Sequence, residues 1–353
     1  MSARSVLGAL DRDKYEPVQI GITHEGAWLF GQDVLEAMQS GDRKALGRAV
    51  LLPDPGFEGL YAARSAGEGW LLEELSKLDV IFPVLHGTFG EDGTLQGLLE
   101  MADLAYVGAG VLGSSVGMDK GLFKDVMRAN GIPVLEWSIL LRSEIENDLE
   151  TAVSWAERLA GYPLFVKPCN LGSSVGVTKC RSRSDLMEGL LEAARYDRRV
   201  LVERGIEARE IEVSVLGNDN PQASLPGEVI PSSDFYSYQA KYLDESSTLI
   251  IPAELPAETI ERIQSLAVRA FRAIDCAGMG RVDFLLDKAS GEVFLGELNT
   301  IPGFTRISMY PKLWEASGLP YPALIDRLIN LALERKKERD RIERRFEVSS
   351  FGG

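Results

Sequence analysis

Residues 280–300, GRVDFLLDKASGEVFLGELNT, hold the side chains best suited to chemistry. Two apolar runs flank Ala289-Ser290-Gly291. A three-residue loop with glycine where the backbone turns left-handed predicts a hairpin. Asp283 then faces Glu297 and Arg281 faces Asn299, although a bulge at the loop would shift the register by one. Alternation places these four side chains on one face, with Val282, Phe284, Phe294 and Leu298 on the other. Two carboxylates directly opposed repel each other, and a cation between them is the natural remedy. Oxygen ligands without nitrogen or sulfur favour Mg²⁺, which commonly also takes phosphate oxygens. The competing reading is a solvated acidic edge with Arg281 as local counter-ion.

A second candidate is FVKPCNLGSSVGV, residues 165–177. Lys167 ends an apolar run and a Gly/Ser loop follows. Backbone N–H groups of such a loop, with the Ser173 and Ser174 hydroxyls, can wrap phosphate oxygens while Lys167 supplies a point charge. Alone, this reads equally well as a hairpin tip with a solvated lysine. Beside a Mg²⁺ pair, a nucleoside triphosphate explains both.

Other motifs carry less. Gly108-Ala-Gly110-Val-Leu-Gly113 matches G-x-G-x-x-G, but the strand before it is short and the SSVGMDK that follows delays a helix, so a domain-joining turn is the favoured reading. Gly172-Ser-Ser174-Val-Gly176 matches the nucleophile elbow G-x-S-x-G. That chemistry needs a histidine after the serine, and the two histidines, His24 and His86, both precede it. No Walker-type G-x-x-x-x-G-K-[ST] is present.

The elements that must position these residues are those of a mixed α/β chain. At 353 residues, two to three domains are expected. Lys plus Arg number 38 against 53 Asp plus Glu, a net charge of −15 that argues against a dedicated nucleic-acid binder or a basic membrane-surface protein. Three cysteines without C-x-x-C spacing argue against a disulfide framework or zinc site and for a reducing, intracellular setting. Neither a membrane-length apolar stretch nor a secretory signal is evident. Strands are expected at Val18–Thr23, Asp79–Leu85 and Ala105–Gly108, with helices around Ala3–Leu10, Leu71–Ser76 and Thr94–Met101. That alternation suggests a helix-covered parallel sheet. A helix over Asp119–Asn130 leads to a central unit with strands at Val134–Leu141 and YPLFVKP, helices at Asn147–Ala160 and Asp185–Tyr196, and a closing RVLVERG. REIEVSVLG then alternates strictly, a Tyr-rich segment covers Ser232–Ser247, and amphipathic helices end in a charged tail that reads as a solvated, fraying helix end.

With these residues laid out, the chain resembles the ATP-grasp fold in Lys120 of GMDK, the KPCNLGSSVGV loop, Glu203 of LVERG and the Asp283…Glu297-Leu-Asn299 set. PVLHGTFGEDGTLQG, FYSYQAKY and NTIPGFTRISMYPKLW resemble, more narrowly, the D-alanine–D-alanine ligases. The match runs from about Val6 to about Leu333. The resemblance implies an N-terminal Rossmann-like domain over 1–109, a central ATP-grasp domain over 110–207 and a C-terminal ATP-grasp catalytic domain over 208–353. It implies that Lys120 and Lys167 contact ATP phosphates under the Ser173-Ser174 loop, with Glu203 at the adenine end and Glu210 on the ribose. Asp283, Glu297 and Asn299 would hold two Mg²⁺ (or Mn²⁺) ions. Arg281 and the Gly303 N–H would stabilise a tetrahedral oxyanion, and Ser308 with the Met309 amide would hold the second substrate's carboxylate. Tyr236, Lys241 and Tyr242 fall in a mobile lid, Tyr242 pairing with Ser173, and His86 resembles a residue beside the first D-alanine. ATP and D-alanine are the implied substrates, with a cytoplasmic homodimer as the implied setting.

The sequence departs from that pattern at its beginning. Family members normally start with a strand and a G-G-x-S-x-E-H-x-V-S motif whose glutamate anchors the first D-alanine, whereas this chain begins MSARSVLGAL. The expectation is a shortened ligase, weakly active or inactive until the upstream segment is restored, with a silent ATP-binding relative as the alternative. Related ligases that make D-alanyl-D-lactate carry a different residue at the position of Tyr242, so the tyrosine implies D-alanine as second substrate.

Overall fold

The computed structural model describes residues 1–57, 59–172, 174–230 and 248–343. Ser173 and the Tyr-rich segment with Tyr236, Lys241 and Tyr242, expected as a lid, lie outside the described residues, as does the end of the charged tail.

The N-terminal part differs from the expected helix-covered parallel sheet. Strands Ile20–Ile22, Trp28–Phe30, Gly47–Leu51, Gly59–Ala66 and Gly69–Lys77 form an antiparallel meander in chain order. Among the described residues, the parallel element is one short pair, Val80–Ile81 with Ala105–Tyr106. Leu71–Ser76, expected as helix, is edge strand. Its leucines at 71, 72 and 75 suit a helical stripe, but Gly67 takes φ +61° and closes a hairpin with the preceding strand. Trp70 and Leu71 stay 64% and 56% exposed, so no apolar partner ever selected a helical face.

The glycine motif at 108–113 meets a helix sooner than expected: Val111–Met118 is helical directly after Gly110. Its glycines serve close packing. A Cβ on Gly113 would stand 3.1 Å from the Asp275 carbonyl oxygen and the Cys276 Cα. A Cβ on Gly278 would meet Gly108 N at 3.1 Å. Arg335 donates to the carbonyls of Gly108 and Tyr106. Backbone and guanidinium fill the approach a pyrophosphate would need, which leaves the domain-joining turn.

The central unit is a four-stranded antiparallel sheet in the order Thr178–Cys180, Leu164–Pro168, Arg199–Arg204, Trp137–Leu141. Leu164, Val166, Val200 and Val202 bury one face against helices Leu149–Ala156 and Arg183–Tyr196. Period two therefore sends Lys167 and Glu203 to the other face, as diagonal neighbours. Helix Lys120–Ala129 begins where Asp119 accepts the Leu122 N–H at 2.9 Å.

In the C-terminal sheet, Ala208–Gly217 runs antiparallel along the whole of Gly278–Asp287, which turns into Val293–Asn299. Ile211, Val213, Val215, Val282, Phe284 and Leu295 pack with Phe271 of helix Ala257–Ala273. The strict alternation of REIEVSVLG predicts one wet face, yet the strand is buried on both sides from Ile211 onward. Helix Met309–Ala316 covers the second face there, its Tyr310 carbonyl accepting from Ser214 Oγ at 3.2 Å and its hydroxyl donating to Val215 O at 3.0 Å. Among the described residues no helix is long and apolar enough to cross a membrane, and Cys169, Cys180 and Cys276 are free and buried.

Candidate active site

The hairpin delivers its four polar residues as the spacing predicts: Arg281 pairs with Asn299 and Asp283 with Glu297. It arrives there by two cancelling irregularities. The turn is one residue longer than expected, with the Asp287 N–H on Glu292 O, and a bulge at Gly296 restores the register before Asp283. The bulge also reverses the faces beyond it. Val293 and Leu295 point to the core, and Phe294, expected inside, instead lies under the Arg204 guanidinium at 5.8 Å.

On the polar face, Arg281 makes a two-pronged contact to Asp283 with Nε and Nη2, both at 2.7 Å, and an ion pair to Glu212 at 2.9 Å. Glu212 sits directly across from Asp283 on the neighbouring strand. Three adjacent strands thus carry Glu212, Asp283 and Glu297 in one lateral row. Burial opposes the Arg281 charge, but Asp283 and Glu212 outweigh it and hold its pKa well above the ordinary arginine value. Asn299 Nδ2 donates to Asp283 at 3.0 Å and to Glu297 at 3.3 Å. A turn of that amide would present its oxygen instead, giving a set of two carboxylates and one amide oxygen. Such hard oxygen donors suit Mg²⁺, which takes one or two carboxylates and completes its shell with water and phosphate. Glu210, two residues before Glu212 on the same strand face, is half-buried opposite Leu285.

A second cluster lies on the outer face of the central sheet. Lys167 Nζ donates to Glu203 Oε2 at 2.6 Å, and Lys124 pairs with the other carboxylate oxygen. Lys124, one helical turn beyond Lys120, is buried and stands 5.6 Å from the Trp137 ring centre. Burial alone would raise the Glu203 pKa, yet the two ammonium groups bring it down to about 2. Burial lowers Lys124, with Glu203 opposing. Glu203 thus spends its side chain on two lysines and orients Lys167. Sequence reasoning missed Lys124, whose signal was its i, i+4 spacing from Lys120. Replacing Lys124 with methionine leaves Glu203 with one cation and is expected to cost ~3–5 kcal/mol of unfolding free energy. The Glu203 pKa is depressed on folding, so its contribution is present above the ordinary value of 4.5 and fades as pH falls toward about 2. Urea unfolding of both proteins at pH 7 and below pH 4 checks this, with the gap largest at pH 7.

The two clusters converge through loops. Lys120 donates its amide to Cys169 O at 3.0 Å and its ammonium to Leu171 O at 2.6 Å, which binds it to the Gly/Ser loop. Ser174 holds a left-handed backbone there, φ +58°. A Cβ on Gly172 would reach Gly87 Cα at 3.9 Å. The neighbouring His86 has Nδ1 3.0 Å from Ile301 O, two residues past Asn299. Because a carbonyl only accepts, Nδ1 carries the proton. Desolvation and the Arg281 charge keep the imidazole below its ordinary pKa, against the Ile301 bond. Beyond Ile301, Gly303 is packed so closely that a Cβ would meet Ser308 Oγ at 2.8 Å. Ser308 precedes helix Met309–Ala316, its Oγ accepting the Thr305 N–H at 3.0 Å. The first amides of a helix lack intrahelical acceptors and suit a carboxylate.

Residues 1–109 match the family model described as D-ala D-ala ligase N-terminus, and residues 126–330 match D-ala D-ala ligase C-terminus. The chain belongs to the D-alanine–D-alanine ligase family. It is 48% identical over 340 residues to the D-alanine–D-alanine ligase of Heliobacterium modesticaldum, covering 96% of this chain and 92% of that one. Against the same ligase of a Thermoanaerobacter species, identity is 49%, covering 97% and 94%. Among solved structures, the D-alanine-D-alanine ligase from Coxiella burnetii is similar with a TM-score of 0.79 and 38% identity, covering 96% of this chain and 90% of that one. The VanG D-Ala:D-Ser ligase from Enterococcus faecalis is similar with a TM-score of 0.82 and 35% identity, covering 94% of each. The fold is ATP-grasp, as in these ligases.

Proposed function

We propose that this chain joins two molecules of D-alanine at the expense of ATP, giving the dipeptide used in peptidoglycan precursors. The observation that carries the reading is the single polar face on which Arg281, Asp283, Glu297 and Asn299 stand in register. The carboxylate of the first D-alanine attacks the γ-phosphorus, ADP departs, and an acyl phosphate forms. The amine of the second D-alanine attacks that carbonyl, and phosphate leaves with one oxygen from the original carboxylate. Negative charge gathers on oxygen at every stage, so fixed cations and donors supply most of the rate.

In this reading Lys120 and Lys167 hold phosphate oxygens beneath the Ser173-Ser174 loop. The end of strand Arg199–Arg204 at Glu203 borders adenine, and Glu210 takes the ribose. Asp283, Glu297 and Asn299 would hold two Mg²⁺ ions, which when bound neutralise charge on the transferring phosphoryl group. Arg281 and the Gly303 amide face the tetrahedral oxyanion, Ser308 and the Met309 amide the second carboxylate, and His86 the first D-alanine. Tyr236, Lys241 and Tyr242 belong to a cover that keeps water from the acyl phosphate, with Tyr242 paired to Ser173. The three-part division at 109/110 and 207/208, a cytoplasmic setting and a homodimer complete the proposal.

Phosphate release with ATP, Mg²⁺ and D-alanine tests the activity. Competition at neutral pH among D-alanine, D-lactate and D-serine tests the second substrate. The dipeptide D-alanyl-D-alanine is expected to dominate, and predominant ester or D-serine product would overturn the assignment.

A further inference from the structure

The Glu91 carboxylate joins two separate parts of the molecule. One oxygen accepts the Gly87 N–H at 2.5 Å, and the other accepts the Ile301 N–H at 3.3 Å. Gly87 follows His86 in the N-terminal part, whereas Ile301 leaves the hairpin that carries Asn299. His86 closes the circuit by donating from Nδ1 to Ile301 O at 3.0 Å. The backbone of Ile301 is therefore held at its N–H by Glu91 and at its C=O by His86.

The loop around Glu91 is held at many points. The Glu91 and Gly90 amides return to Gly87 O at 2.9 and 3.1 Å, and Gln96 Nε2, buried, donates to Gly90 O at 2.8 Å. Asp92 accepts from Phe89 N at 2.8 Å and Thr94 N at 3.0 Å, and its carbonyl accepts from Ser115 Oγ at 2.9 Å. Phe89 keeps a left-handed backbone at φ +67° while 71% exposed, a conformation that persists only where the surroundings over-determine it. Desolvation pushes the Glu91 carboxyl up to about 7 against its two backbone bonds, so a carboxylate sits here at a cost that a core position would avoid.

We propose that Glu91 is a positioning residue for the first amino-acid substrate, acting through His86 by fixing the His86–Gly87 loop against Ile301. With Nδ1 committed to Ile301 O, a neutral His86 ring has Nε2 as its acceptor, the right polarity for a substrate ammonium group. The proposal rests on the reading of His86 as a neighbour of the first D-alanine.

Glu91→Gln keeps size but sets an amide donor against one of the two backbone N–H groups. KM for the first D-alanine is expected to rise ~10–100-fold, with the KM for ATP and the kcat within about threefold of the parent. His86→Gln and the double variant complete a cycle in which the two losses do not add, because both act at one contact. Imidazole ¹⁵N shifts supply a readout independent of turnover: His86 in the parent carries its proton on Nδ1, and Glu91→Gln mixes the tautomers. If Glu91→Gln does not fold, Glu91→Asp, which keeps the charge but not the reach, is read in the same way. Unchanged KM and tautomer, or additive losses in the cycle, overturn the proposal. If the parent forms no dipeptide, the tautomer comparison, which needs no turnover, decides the role of Glu91: an unchanged tautomer overturns it, whereas failure of the ligase reading shows as ATP and D-alanine leaving the His86 signals unmoved.

Discussion

Glu297→Gln is expected to lower magnesium-dependent turnover by ~10²-fold or more while leaving the fold intact. Glutamine matches glutamate in size and can still accept from Asn299, which now donates to Glu297 at 3.3 Å. What disappears is one negative charge. The loss is large because a divalent cation draws on both hairpin carboxylates. Asp283 meets the two-pronged contact from Arg281, and Glu297 also lies within the field of that guanidinium, so removing the Glu297 charge leaves a cation facing an unbalanced positive group. Turnover against Mg²⁺ concentration reads the effect, and ATP-dependent Mn²⁺ binding followed by electron paramagnetic resonance reads it without catalysis. Near-parent values in both would remove Glu297 from the metal set.

Arg281→Lys is expected to reduce kcat/KM by ~10²–10³-fold, although charge is conserved. The guanidinium meets Asp283 with two nitrogens and Glu212 at 2.9 Å, a fork that a lysine ammonium cannot reproduce. The carboxylates of Asp283 and Glu212 would be left less well compensated on a covered face, so a loss of melting temperature accompanies the loss of rate. Steady-state kinetics with calorimetry checks both. A stable lysine variant of ordinary activity would show that Arg281 does not face the oxyanion.

The hairpin was legible because alternation and a glycine turn are local rules. Even so, Asp283 met Glu297 only because a longer turn and the Gly296 bulge offset one another, and the misplacement of Phe294 shows what a single uncorrected shift does. The helix expected at Leu71–Ser76 failed for the opposite reason. The leucine spacing there suits a helical stripe, and exposure at the edge of the sheet left no packing to reward it. The early helix at Val111–Met118 was hidden by its glycine and serine content, of which Gly113 serves close contact with Asp275 and Cys276. Lys124, Glu212 and Glu91 escaped notice because their partners, Glu203, Arg281 and Ile301, come from other strands or a distant segment. The Lys167 loop was ambiguous on its own, since a Gly/Ser turn beside a lysine also suits a solvated hairpin tip, and Lys120 stood out only through the family resemblance.

The oxygen-transfer experiment bears on the centre of the account. D-alanine labelled with ¹⁸O in both carboxylate positions is incubated with the protein, ATP and Mg²⁺, and the released phosphate is examined by ³¹P NMR. Direct activation of the carboxyl by the γ-phosphoryl group places one labelled oxygen in each phosphate, alongside one ADP and one dipeptide. Unlabelled phosphate would mean that ATP is merely hydrolysed at this site, and the assignment of the Asp283–Glu297 face to carboxyl activation would be wrong.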